Sequence, residues 1–137
     1  SEILKVKSQM DSGMFKPMQA AAVEALKQGS EWFGKLNEEY RRRRVLAGRI
    51  FDLIGAEYDH DSTGMFLWGK VADGGRGQDV SDRILYDAGV FITPGFIFGR
   101  NGNNYIRISL CAKPETLRQA WQKIKTLYTL DGKTGKK

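Results

Sequence analysis

The chain has 137 residues, of which 41% are hydrophobic and 28% are charged, a balance typical of a soluble globular protein with enough chain for one core. No apolar run approaches the roughly 18 residues that a membrane-spanning helix needs, and no signal peptide is visible, so we expect no membrane partner. The single cysteine, Cys111, excludes an internal disulfide and favours a reducing cytoplasm. The net charge of +6 permits a nucleic-acid partner but does not establish one.

The N-terminal part of the chain has helical patterning. Residues 1–7 are too short to assign, but Pro17 is suited to open a helix over 18–28, because its missing N–H would have no partner in the first turn anyway. Ser30 is suited to cap a second helix, which the apolar spacing extends to residue 54 before Gly55 ends it. Its length, roughly 36 Å at 1.5 Å per residue, suits a helix that joins two domains. Because the sequence begins in mid-pattern and without Met, we expect a segment of a longer protein.

Two polar features invite a functional interpretation that their geometry disfavours. Arg41–Arg44 are consecutive on the long helix and point in different directions, so they do not form one flat phosphate-binding surface. Arg43 falls on the apolar side of that helix, where we expect an ion pair or a stem packed on the core. His60, the only histidine, stands between Asp59 and Asp61. Three adjacent residues do not easily converge on one ion, so we predict no metal site.

The rest of the chain alternates short apolar runs with helical patterns. Strands are predicted over 65–71, 90–93 and 104–111, and helices over 79–88 and 114–128. Residues 129–137 are predicted to form a flexible tail. These elements predict an α+β two-layer sandwich, in which a small, mostly antiparallel sheet is covered by helices and preceded by a long N-terminal linker helix.

A glycine-rich turn followed by a strongly alternating strand is the most informative stretch. Ile106, Ile108 and Leu110 fall on one face of the strand, which we predict to be the core face. Arg107 falls on the opposite face, beside a turn that contains Gly95. An arginine there is either an ordinary surface charge of an antiparallel sheet or a ligand for a carboxylate, to which its planar guanidinium can donate two parallel hydrogen bonds. The glycines would let the backbone approach a ligand closely.

The stretch resembles a known family signature. The matching blocks are Val90–Gly95, Phe98–Gly99, Tyr105–Ser109, Gly64–Trp68 and Leu4–Phe15. Together they resemble the C-terminal part of the class I/II, fold-type I pyridoxal-phosphate-dependent aminotransferases, over nearly all of residues 3–128. One departure is Gln9, which stands where the family often has Asn.

The resemblance implies a substrate-binding role. In the family, the arginine at the position of Arg107 binds the α-carboxylate of the amino-acid substrate, and we expect Gly95 and Phe98 to help line and close the substrate pocket. The parent enzyme would transfer an amino group between an amino acid and a 2-oxo acid, as a cytoplasmic homodimer that holds pyridoxal 5'-phosphate. We expect neither a nucleic-acid partner nor a metal.

The resemblance also implies what this chain lacks. Lys5, Lys7 and Lys70 are surface candidates, and no lysine stands in the family's coenzyme-anchoring context, so we predict no catalytic residue, no tightly bound coenzyme and no activity in this chain alone. The implied organisation is a remnant of the large domain (1–29), an interdomain helix (30–55), the small domain (56–128) and the tail (129–137).

Two alternatives remain open at this point. A basic nucleic-acid-binding module is suggested by the isoelectric point of about 9.5, by Arg41–Arg44 and by Gly74–Gly77. Against this alternative, we identify no pair of aromatic residues on a strand of the kind that base-stacking modules use. Another fold-type I enzyme, such as a C–S lyase or a decarboxylase, would share the carboxylate-binding arginine. The identity of the substrate and the oligomeric state of this chain are not predicted.

Overall fold

The computed structural model describes residues 1–10 and 13–134 and divides the chain into two compact units, the first over Ser1–Asn37 and the second from Glu38 onward. The first unit contains α1 (Glu2–Met10), α2 (Lys16–Leu26) and the start of α3 (Ser30–Ile54). Pro17 lies in the first turn of α2, as predicted, but the helix begins earlier and ends earlier than 18–28. Residues 11 and 12, within one block of the resemblance, lie outside the described residues.

The helices of the first unit bury none of their residues. Their large apolar side chains are exposed, including Ile3, Leu4, Val6, Met10, Met18, Val23 and Leu26. A helix with an apolar face in water gains none of the free energy that burial provides. The first unit therefore has no core of its own among its described residues.

The second unit contains a four-stranded antiparallel sheet. Its strands are β1 (Glu57–Tyr58), β2 (Phe66–Lys70), β3 (Thr93–Pro94) and β4 (Tyr105–Ser109), in the spatial order β1-β2-β4-β3. The unit also contains the rest of α3 and two further helices, α4 (Gly77–Ala88) and α5 (Pro114–Thr134). Short 3-10 turns occupy Ala72–Gly74, Gly95–Phe98 and Arg100–Gly102.

The core lies between one face of this sheet and the helices. Ile106, Ile108 and Leu110 are buried, as the alternation predicts. The same core cluster contains residues of β2 and of the three helices, namely Leu67, Ala47, Ile50, Phe51, Ile84, Leu117 and Ile124. This arrangement confirms the predicted α+β two-layer fold and the long N-terminal helix, whose bounds match 30–54.

The differences from the predicted elements lie mainly at strand ends. The strand predicted over 90–93 is wrong for 90–92, because β3 contains only Thr93 and Pro94. The buried Ser81 hydroxyl of α4 donates a hydrogen bond to the Ile92 carbonyl, which ties that segment to the helix. β1 was not predicted, and α5 continues past 128 to Thr134. Residues 135–137 of the predicted tail lie outside the described residues.

Candidate functional site

Arg107 lies at the centre of the sheet, on the face opposite the core. β4 is an inner strand, and Arg107 pairs with Trp68 of β2 on one side and with Thr93 of β3 on the other. Tyr105 and Ser109 share its face and, like Arg107, are half-buried. The face predicted for this arginine is therefore the observed one, and neighbouring strands fix its position from both sides.

Aromatic rings surround the Arg107 guanidinium. Its Cζ lies 4.1 Å from the ring centroid of Phe66, 4.2 Å from that of Phe98 and 6.0 Å from that of Trp68. We call Phe66, Trp68 and Phe98 the aromatic cluster. Trp68 also meets Phe98 edge-to-face, with centroids 5.3 Å apart. Guanidinium groups at such distances are attracted by the negative faces of aromatic rings.

No acid neutralises Arg107 within the part of the chain that the structure describes. Its side chain makes neither a hydrogen bond nor an ion pair there, and its Nε is buried without a partner. Its terminal nitrogens, which also lack a described partner, are not completely buried. Because arginine keeps its charge at any ordinary pH, this half-buried cation is suited to receive an anion.

The turn that carries Phe98 depends on close backbone contact. A Cβ on Gly95 would collide with the carbonyl oxygen of Gly102 and lie 2.8 Å from that of Tyr105. A Cβ on Gly102 would in turn meet the carbonyl group of Gly95. Glycine at these two positions thus has a packing reason within the chain, which the sequence alone did not reveal. The result is a turn that presents Phe98 to Arg107.

Sequence reasoning missed Phe66 and Trp68 as neighbours of Arg107. Both lie on the open face of β2, where Phe66 is 37% and Trp68 39% exposed, while Leu67 between them is buried. The open face of an antiparallel sheet usually carries polar side chains. Two large aromatic residues at alternate positions on that face were the available signal.

The four consecutive arginines of α3 all have partners within the chain. Arg41 and Arg42 both pair with Glu38, and hydrogen bonds from these two arginines lower the pKa of that carboxyl to about 2. Arg43 pairs with Glu39 and donates to the backbone carbonyls of Leu110 and Cys111, as its expected structural role requires. The remaining member, Arg44, donates to the Ser62 hydroxyl and the Gly64 carbonyl.

The other candidate groups do not assemble a second site. Among the described residues, no three potential metal ligands come together. The ring of His60 packs against Tyr58 with centroids 4.3 Å apart, and the Asp61 N–H donates to Asp59 Oδ1. Cys111 is exposed, and its N–H donates to the Ser109 hydroxyl.

The lysines do not fit a covalently held pyridoxal phosphate. Every lysine whose side chain is described is exposed, including Lys5, Lys7 and Lys70. Lysine becomes a nucleophile near neutral pH when its ammonium is desolvated or placed near another cation. The exposed lysines of this chain lack the first of these conditions.

The chain is similar to aminotransferases in sequence. It is 36% identical over 123 residues to the LL-diaminopimelate aminotransferases of Oleidesulfovibrio alaskensis and of Aquifex aeolicus, in each case over 90% of this chain and 32% of the relative. The chain thus spans about one third of the length of these curated relatives. No family model matches the sequence.

Solved structures of aminotransferases share the fold. A probable N-succinyldiaminopimelate aminotransferase from Thermus thermophilus matches with a TM-score of 0.75 and 27% identity, over 89% of this chain and 33% of that one. Substrate-bound BacF from Bacillus subtilis matches with a TM-score of 0.70 and 30% identity, over 85% of this chain and 30% of that one. These matches confirm the resemblance predicted from the sequence. No described helix is long and apolar enough to cross a membrane.

Proposed function

This chain belongs to the fold-type I pyridoxal-phosphate-dependent aminotransferases, and from that premise we propose that it supplies the arginine that binds the substrate carboxylate. One observation carries the proposal. Arg107 is a permanent cation at the centre of the open sheet face, and it meets no acid among the described residues. A guanidinium left in this way can offer two parallel N–H donors to a carboxylate.

The proposed activity of the whole protein is the transfer of an amino group between an amino acid and a 2-oxo acid. When bound, the coenzyme supplies an electron sink for the carbanion at the substrate's α-carbon. The contribution of this chain is to hold the adjacent carboxylate on Arg107, and so to fix the direction of the bond from the α-carbon to its hydrogen. Both substrates carry a carboxylate next to the reacting carbon, so one arginine serves both halves of the reaction.

Gly95 and Phe98 complete the proposed substrate site. Phe98 is half-exposed beside the guanidinium, so it can border a ligand there. Gly95 permits the turn that positions Phe98, and movement of this turn with the small domain would close the pocket. LL-diaminopimelate, for which the relatives are named, is the amino acid to test first.

The proposal includes the domain organisation and the assembly. Residues 1–29 would belong to a large domain, 30–55 to the interdomain helix, 56–128 to the small domain and 129–137 to its C-terminal tail. The exposed apolar side chains of α1 and α2 support this division, since such faces need a cover. A homodimer in the cytoplasm remains the expected state of the whole protein.

We also propose that this chain alone neither holds the coenzyme nor transaminates. Support comes from the exposure of every lysine whose side chain is described. The purified chain, mixed with pyridoxal phosphate and then dialysed, should return to the absorbance of protein alone. Coenzyme absorbance that persists through dialysis would contradict this.

Carboxylate binding by Arg107 can be tested on this chain directly. NMR signals of arginine side chains and aromatic rings, recorded during titration with sodium acetate against sodium chloride of equal ionic strength, should show saturable shifts at Arg107 and at the neighbouring rings of Phe66 and Phe98. Arg107→Lys should abolish the acetate-specific shift of the Phe66 and Phe98 ring signals, because lysine keeps the charge but loses the planar pair of N–H donors. Arg100→Lys is the control, since this exposed arginine lies outside the aromatic cluster. Equal responses in wild type and Arg107→Lys would refute the proposal.

A further inference from the structure

The aromatic cluster suggests how the carboxylate site is kept ready. Building on the proposed role of Arg107, we propose that Phe66 and Phe98 are positioning residues. They fix the plane of the guanidinium, so that its outer N–H edge, rather than its face, meets the substrate carboxylate. Trp68 supports this arrangement through its contact with Phe98.

The two ring contacts are close and of similar length. Phe66 lies 4.1 Å and Phe98 4.2 Å from the Arg107 Cζ, well inside the roughly 6 Å within which cation–π attraction acts. A ring attracts the face of the cation and takes no N–H hydrogen bond in the plane of the group. An acidic neighbour would instead occupy the donors that a carboxylate ligand needs. Aromatic neighbours therefore hold this arginine while leaving its fork available.

The rings are themselves held by separate parts of the fold. Phe66 lies on β2 and pairs with Ser109 of β4, the strand that carries Arg107. Phe98 belongs to the turn fixed by the close backbone contact of Gly95 with Gly102. A hydrogen bond from the Gly99 N–H to the Phe96 carbonyl, 2.9 Å long, closes the end of that turn. The guanidinium is thus held by one ring from the sheet and by one ring from a turn.

The buried Nε supports the same interpretation. This nitrogen has no described hydrogen-bond partner, and a buried donor without a partner is costly. The cation–π contacts offset part of that cost. They also leave the terminal nitrogens as the groups that reach outward. An arginine with a flexible head would lose rotamer freedom on binding, whereas a head already fixed by two rings loses less.

The experiment uses this chain with arginine labelled in its side chain. In wild type, ring currents should displace the Arg107 side-chain proton signals from ordinary arginine positions, and acetate should shift the Nε–H signal saturably. Phe66→Leu and Phe98→Leu should each reduce that displacement and weaken acetate binding by roughly three- to tenfold, as expected for the loss of one cation–π contact. Phe98→Tyr keeps a ring and should restore both readouts.

Phe91→Leu is the matched control, because Phe91 is 65% exposed and makes no described contact with Arg107. Circular dichroism of each variant establishes that the fold is retained. If either leucine variant loses the fold, the tyrosine variant and the wild-type ring-current displacement still decide the question.

The outcomes separate this inference from the proposed function. Wild-type acetate affinity in both folded leucine variants, or ordinary Arg107 shifts in the wild-type chain, would overturn the positioning role. If Arg107→Lys binds acetate as well as wild type does, the carboxylate-binding function itself is wrong. In that case the ring-current displacement alone still reports whether the rings hold the arginine.

Discussion

Two arginines of the second unit are held in opposite ways. Arg43 donates to the Glu39 carboxylate and to two backbone carbonyls at the end of β4, so its hydrogen-bonding capacity serves the fold. The side chain of Arg107 has rings as neighbours and makes no hydrogen bond with the described residues. Arg43 thus has its donors bound within the chain, whereas the donors of the Arg107 side chain are unbound among the described residues and its close neighbours are rings. The following predictions test this contrast.

The largest effect is expected for Arg107→Lys in the whole enzyme that contains this chain. Loss of the bidentate fork should raise KM and lower kcat together, reducing kcat/KM by about 100-fold. The free energy of unfolding of this chain should change by no more than about 1 kcal/mol, because ring contacts are altered but no described side-chain hydrogen bond is lost. Steady-state kinetics and urea unfolding measure the two parts, with Arg100→Lys as the control. A large loss of stability with unchanged kinetics would show that Arg107 has a structural role instead of binding substrate.

Arg43→Ala should have the opposite profile. It leaves the buried carbonyl of Leu110 without its donor and removes a half-buried ion pair, so we expect destabilisation by about 2 kcal/mol. Acetate binding by Arg107 should stay at the wild-type level. Arg42→Ala is the matched control, since Arg42 is exposed and an ion pair at the surface contributes little to stability. Equal urea midpoints for the two variants would contradict the structural role of Arg43.

Gly95→Ala tests whether the turn positions the aromatic cluster. The new methyl group would collide with the Gly102 carbonyl, so we expect destabilisation by about 1–3 kcal/mol together with loss of the ring-current displacement at Arg107. Gly34→Ala is the control, because nothing lies within 4 Å of a Cβ there and alanine favours a helix. Unchanged Arg107 signals in folded Gly95→Ala would show that the turn does not position the rings beside the arginine.

The smallest effect concerns Glu38. Hydrogen bonds from Arg41 and Arg42 lower its pKa from the ordinary 4.5 to about 2. A carboxyl whose pKa is lowered by folding stabilises the fold above its ordinary pKa, and this contribution is lost as the pH falls from about 4.5 towards about 2. Carbon-detected NMR titration should show the low midpoint in wild type and a higher one in Arg41→Ala. A wild-type midpoint near 4.5 would contradict the ion pair.

The sequence predicted those parts of the fold that depend on local periodicity. The alternation of Ile106, Ile108 and Leu110 defined the core face of β4 and so placed Arg107 on the open face. The spacing along α3 gave its bounds. β1 was missed because a strand of two residues, Glu57 and Tyr58, is too short to show the alternation of apolar and polar side chains.

The surroundings of Arg107 could not be predicted, because they depend on contacts between distant parts of the chain. Phe66 reaches the guanidinium only through the register of β2 on β4. Phe98 does so only because Gly95 packs on Gly102, a backbone contact with no sequence period. The substrate-binding roles of Arg107, Gly95 and Phe98 are predictions that Arg107→Lys and Gly95→Ala test.

The rings beside Arg107 have a consequence for how its charge is felt in solution. Water and mobile ions are excluded where a ring covers the cation, so dissolved salt can approach it chiefly along the outer rim. Screening by salt is weak for charges that are partly withdrawn from solvent. The affinity of this arginine for an acid should therefore fall much less with rising ionic strength than that of an exposed arginine such as Arg100.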